Sequence, residues 1–195
     1  MPTRLRVPTC LALFALLAQP LPAASQGRPD FTALMSAQRA ALRPLAGMDG
    51  EWRGKARILE PDGAWKEITQ TERIGPMLDS TLKVIEGRGY DASGKVAFNA
   101  FAILAWDANR KAFGFRAYTR GLSGDYVFTP TDSGFVWEIP AGPLTIRYTA
   151  TVRDGKWHEV GDRIVAGQEP VRFIELDLRR LGASDWPAGG AVPPR

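Results

Sequence analysis

Two stretches of the 195-residue chain place ionisable side chains at every second position beside tryptophans, the spacing at which a strand delivers alternate residues to one face. In the later stretch Trp157, Glu159, Gly161, Arg163 and Val165 alternate with Lys156, His158, Val160, Asp162 and Ile164. In the earlier one Trp65, Glu67, Thr69, Thr71 and Arg73 alternate with Lys66, Ile68, Gln70, Glu72 and Ile74. No set is plainly apolar, so the facing of 65–74 and 156–165 stays open. A buried Trp157 would nonetheless carry Glu159 and Arg163 inward, and Gln70 or Glu72 would join them. A carboxyl taken out of water needs a partner or takes up a proton. Glu159 with an arginine is then a structural ion pair or a polar anchor for a ligand. In the alternative reading, Glu159 or Glu72 serves as an acid–base group, with Arg163 or Tyr148 stabilising charge.

His158 is the only histidine, and a Ser-His-Asp or Cys-His nucleophile would have to be built on it. There is no Gly-x-Ser-x-Gly, and the one cysteine, Cys10, lies in the leader described below. One histidine among scattered carboxylates does not make a metal site, and none is expected. Gly87-Arg88-Gly89-Tyr90 reads as a turn at a strand end rather than a phosphate loop, because no helix follows it. The formal charge is +4, and removal of Arg4 and Arg6 with the leader leaves 23 bases against 21 acids. A net +2 with the signs interleaved leaves no nucleic-acid footprint.

The elements that must position these groups follow from pattern. Arg4 and Arg6 precede Leu11 to Ala18, an apolar run too short to span a bilayer, and Ala23-Ala24-Ser25 then supplies small residues for cleavage. Residues 1–25 are therefore expected to be a signal peptide, with no transmembrane span in the mature chain. Cys10 precedes the apolar run, which argues against a lipid-anchored cysteine. Residues 26–48 form a leader and a capping helix, in which Asp30 caps a helix from Phe31 to about Arg43 that Pro44 ends.

Residues 49–181 read as strands and turns: a first strand from Glu51, then Trp65–Ile74, Met77–Glu86, Val96–Trp106, Ala112–Thr119, Asp125–Thr129, Phe135–Ile139, Leu144–Val152, Lys156–Val165 and Val171–Arg180. Ten strands joined by short turns leave no room for crossover helices, so the sheet is antiparallel. Closing it removes its edges. The expected fold is all-β, a ten-stranded antiparallel up-and-down barrel with a short N-terminal helix, and an open sandwich is the alternative. Residues 182–195, rich in Gly, Ala and Pro, form a flexible tail. The interior is aromatic where Phe113, Phe115, Trp137 and Tyr148 fall on the inward sets of their strands.

The first strand opens on Gly50-Glu51-Trp52-Arg53-Gly54, with Leu42 and Leu45 upstream and Ala46-Gly47-Met48-Asp49 inserted before Gly50. With Trp157-His158-Glu159-Val160-Gly161 and the terminal Leu178-Arg179-Arg180, this resembles the calycin superfamily of lipocalins, fatty-acid-binding proteins and nitrobindins. It is most similar to a secreted bacterial family of unknown function. The resemblance implies a structural latch in which Arg180, on the last strand, lies across the indole of Trp52, on the first. It also implies a lesser alternative, a haem held from inside the barrel by His158 as in the nitrobindins; otherwise no cofactor is expected.

The expected function is a secreted or periplasmic barrel that binds a small apolar or amphipathic molecule. Phe113, Phe115, Trp137, Tyr148, Glu159 and Arg163 form its lining, and no catalytic residue is assigned. The alternatives are an enzyme on the same scaffold using an interior carboxylate, the haem-binding barrel, and an envelope protein that interacts through its outer surface.

Overall fold

The computed structural model describes residues 29–190 and 192, so the expected signal peptide lies outside the described residues. The chain enters through α1 (Phe31–Leu42), whose first turn is capped by the Asp30 side chain accepting from the Ala33 N–H at 3.0 Å. The α-helix ends next to Pro44 as expected, but the chain stays helical in another form. Pro44 sits at the start of a 3₁₀ segment (Arg43–Met48), where its missing N–H costs nothing because a helix start leaves that donor unpaired anyway. This segment buries Leu45 and Met48 and extends the buried row begun by Leu42.

Ten strands follow: β1 (Gly50–Leu59), β2 (Trp65–Met77), β3 (Leu82–Tyr90), β4 (Val96–Asp107), β5 (Ala112–Thr119), β6 (Leu122–Thr131), β7 (Gly134–Ala141), β8 (Leu144–Arg153), β9 (Lys156–Val165) and β10 (Val171–Gly182). Each pairs antiparallel with its sequence neighbours, and β1 pairs with β10, so the sheet is a closed up-and-down barrel and not a sandwich. In the closing seam Trp52 stands opposite Arg180, Gly54 opposite Leu178 and Ala56 opposite Leu176. Closure pairs the backbone of both terminal strands, which removes the exposed hydrogen-bonding edges an open sheet would present.

Two local expectations are corrected. The break expected between Trp65–Ile74 and Met77–Glu86 is absent: Gly75 and Pro76 lie inside β2, and the turn comes at Leu78-Asp79-Ser80, all with positive φ. The Thr81 hydroxyl fastens this turn by donating to the Leu78 carbonyl at 2.7 Å. Likewise Gly87-Arg88-Gly89-Tyr90 is strand, not turn, since β3 runs on to Tyr90 and pairs throughout with β2 and β4.

One end of the barrel is sealed. α1 packs against β3 and β4, and the 3₁₀ segment against β8, so the entry segment crosses the opening. The Trp52 indole N–H donates to the Met48 carbonyl at 2.8 Å. Arg180 donates from Nε and Nη2 to the Asp49 carbonyl at 3.1 and 3.0 Å, and the ring set edge-on to Trp52 is Trp157. The seam is thus fastened through a backbone carbonyl, in place of the expected stacking of guanidinium on indole. Lys83, almost fully buried, pairs with Asp49 at the same end. Gly50 makes this corner possible: its φ is +126°, and a Cβ there would strike the Gly182 carbonyl and lie 3.0 Å from the Arg180 Nε. Beyond β10, Trp186 packs against β2 with the Arg73 guanidinium 4.5 Å from its ring centre.

Candidate functional site

The strands left undecided by pattern are resolved by their neighbours. In β2, Ile68, Gln70, Glu72 and Ile74 face inward. In β9, Trp157, Glu159 and Gly161 do so, while His158 points out, its Nδ1 2.8 Å from Asp177 Oδ1 in an exposed pair. Both inward sets are mixed because the lumen itself is mixed.

Its aromatic wall is continuous. The Trp137 and Tyr148 rings, cross-strand neighbours on β7 and β8, stack in parallel with centres 4.0 Å apart. Phe115 meets Trp137 at 5.2 Å, Tyr126 meets it at 5.9 Å, and Phe173 meets Tyr148 edge-on at 5.8 Å. Such contacts hold the rings in place. The opposite side is lined by small residues: Gly87 and Gly89 of β3, Ala100 and Ala102 of β4, and Ala117 of β5 share the inward register with Glu72 and Gln70.

Two carboxyls sit inside. Glu159 is held by two indoles: Trp137 Nε1 donates to Oε1 at 3.2 Å and Trp157 Nε1 to Oε2 at 3.0 Å. Burial pushes its pKa up, and the two donors oppose that by stabilising the anion. Glu72 accepts from Gln70 Nε2 at 2.8 Å through Oε1. Burial pushes Glu72 up to about 8, the Gln70 donor opposes this, and the like charges of Glu159 and then Glu86 reinforce it. At neutral pH this favours the protonated form of Glu72. Burial also raises Tyr148, aided by the charge of Glu159 and opposed by Arg163.

Burial grades along the axis. At the sealed end Trp52, Ile74, Leu104, Phe135, Trp157 and Leu178 are buried, whereas Glu72, Tyr126, Trp137, Tyr148, Glu159 and Phe173 keep accessible surface. The inward side chains are thus fully buried toward α1 and part-buried in the other half of the barrel.

Of the six residues expected to line a site, Phe115, Trp137, Tyr148 and Glu159 come together in one contact network. Phe113 lies a ring further toward the sealed end, touching Trp106 at 5.1 Å and Phe128 at 5.8 Å. Arg163 makes no ion pair with Glu159; its guanidinium lies over Phe173, 4.7 Å from the ring centre, and is exposed. The haem alternative does not fit, because His158 is on the outer face and among the described residues the lumen has no other imidazole. No group of three His, Cys, Asp or Glu is placed to hold a metal among the described residues.

Gly87 was not read as a site residue from the sequence. A Cβ there would lie 2.8 and 2.9 Å from the Glu72 oxygens, so the glycine is the seat of that carboxyl. The signal was present as Gly87-x-Gly89, a period of two that matches Gln70-x-Glu72 on the paired strand. Two clefts lie outside the lumen: an open groove of about 410 Å³ lined by Phe101, Tyr118, Arg120 and Leu122, and one of about 260 Å³ beside Trp52, Arg153 and Arg180.

Against solved structures, the chain is similar to Rv2717c from M. tuberculosis, with a TM-score of 0.56 and 12% identity over 73% of this chain and 98% of that one. At that identity the likeness is one of fold. No protein-family model matches the chain, and no curated protein matches its sequence.

Proposed function

We propose that this protein is a secreted or periplasmic barrel of calycin-like type that takes a small apolar or amphipathic molecule into its lumen. The observation that carries the reading is the asymmetry of that lumen. Stacked, part-buried aromatic rings line one side, glycine and alanine the other, and polar groups are held at fixed positions between them. At Gly87 and Gly89 the room a side chain would take is used by the Glu72 carboxyl and by the Ile68 and Gln70 side chains, so the small residues serve to seat polar groups inside the barrel. Ligand sites combine an apolar lining with a few placed polar groups. Glu72, Gln70 and Glu159 supply the polar groups, and Phe115, Trp137 and Tyr148 the lining.

Native mass spectrometry of the protein recovered from its own cell envelope tests both parts. The expected result is a mature mass beginning near residue 26 with a small-molecule adduct. A chain found only in the cytoplasm, or an envelope protein with a bare mass in every preparation, overturns the proposal.

A further inference from the structure

The charges of the lumen are one-sided. Two carboxyls face it, and every basic side chain nearby is engaged elsewhere: Lys83 with Asp49, Arg73 with Glu86, Arg180 with the Asp49 carbonyl, and Arg163 over Phe173. Glu159 has a donor on each oxygen, but Glu72 has one only, on Oε1. Among the described residues no hydrogen-bond donor reaches Glu72 Oε2. Around Glu72 the packed elements add no counter-charge: β1 presents Trp52 and Gly54, and β3 presents Gly87 and Gly89. Glu159 adds only a like charge. Glu86 lies on the outer face of β3, tied to Arg73 and Arg88.

Resting on the reading of the lumen as a ligand site, we infer that its ligand is an amine: an aromatic or apolar body along Trp137 and Tyr148, with a protonated nitrogen donating to Glu72. The ring faces that line the lumen attract cations as well as apolar groups. A carboxylate ligand would meet the like charge of Glu159 and find no basic side chain to pair with, and a purely apolar one would leave Glu72 Oε2 without a partner. Glu72 gives up its own proton to solvent as the ammonium arrives, so the ion pair forms by exchange and leaves no net charge behind.

Calorimetry with three probes of one shape tests this: tryptamine, neutral ethylindole and anionic indolepropionate. For the native protein at pH 7, tryptamine is expected to bind about tenfold tighter than ethylindole or better, the range of a charge-assisted hydrogen bond. It should also release close to one proton, read by comparing phosphate and Tris buffers. In Glu72→Gln the preference and the proton release disappear while ethylindole affinity holds. Gly87→Ala, which shifts the carboxyl without removing it, weakens tryptamine alone and serves if the first variant fails to fold. If ethylindole or indolepropionate binds as tightly as tryptamine, or the preference survives in Glu72→Gln, the amine inference is wrong and the small-molecule reading stands. If none of the three binds, the lumen is not a site of this kind and both fall.

Discussion

Glu72 makes the protein pay for ionisation, and that cost is measurable without knowing any ligand. Burial pushes its carboxyl up to about 8 from an ordinary value of 4.5. Between those values the folded protein holds one proton more than the unfolded chain, so stability falls as pH rises, by about 1.4 kcal/mol per unit, and is level on either side. The whole window amounts to about 5 kcal/mol; water entering the accessible lumen reduces it, and roughly 2–3 kcal/mol is the expected loss. Glu72→Gln abolishes the titration while keeping an acceptor for Gln70 and the volume over Gly87. Urea denaturation at pH 5 and pH 8.5 should show the two proteins equal at the lower pH and the variant more stable by that amount at the higher. Relief of the like charge on Glu159 acts in the same direction. If the stability difference between variant and native protein is the same at both pH values, Glu72 is not held protonated by the fold.

Gly50→Ala forces a side chain into φ +126° and onto the Gly182 carbonyl, so it should cost about 2 kcal/mol or more, seen as a lowered urea midpoint. The Lys83–Asp49 pair should break asymmetrically, because the Lys83 side chain is 4% exposed and that of Asp49 28%. Asp49→Ala strands a buried ammonium and should cost about 3 kcal/mol, whereas Lys83→Met leaves a carboxylate that water still reaches and should cost about 1 kcal/mol; equal losses would show that the two ends are equally wet. Trp157→Phe keeps the packing against Trp52 and Phe135 but removes one donor from Glu159, so a loss of about 1–2 kcal/mol is expected, larger at pH 8.5 than at pH 5. A loss independent of pH would assign Trp157 to packing alone.

The barrel was legible because its evidence is local. Alternation in Leu144 to Val152 and in Ile174 to Arg180, punctuated by turn residues, dictates ten short strands, and short connections dictate antiparallel pairing. Trp52 at the head of the first strand and Arg180 near the end of the last were placed opposite each other, as found. The expected stacking of guanidinium on indole is not what joins them. The guanidinium turns to the Asp49 carbonyl because the 3₁₀ segment brings that unpaired acceptor to the seam, and a charged donor satisfies it better than a ring face. Gly75-Pro76 stays in strand against its turn propensity for a related reason. Turn propensity competes with pairing across a whole barrel, and β2 keeps its ladder with β3 through both residues.

What the chain determined alone is the count of strands, their order and the inward set wherever one face is apolar, since a pleat sends every second side chain the same way. What only the tertiary structure decided is the chemistry inside. Strands 65–77 and 156–165 alternate between two polar sets, and periodicity has no means of choosing between them. The choice comes from partners distant in sequence: the indoles of Trp137 and Trp157 that receive Glu159, and the glycine at 87 that leaves room for Glu72. A carboxyl is stable in a barrel only where another strand supplies a donor or a gap, and those are brought to it by closure.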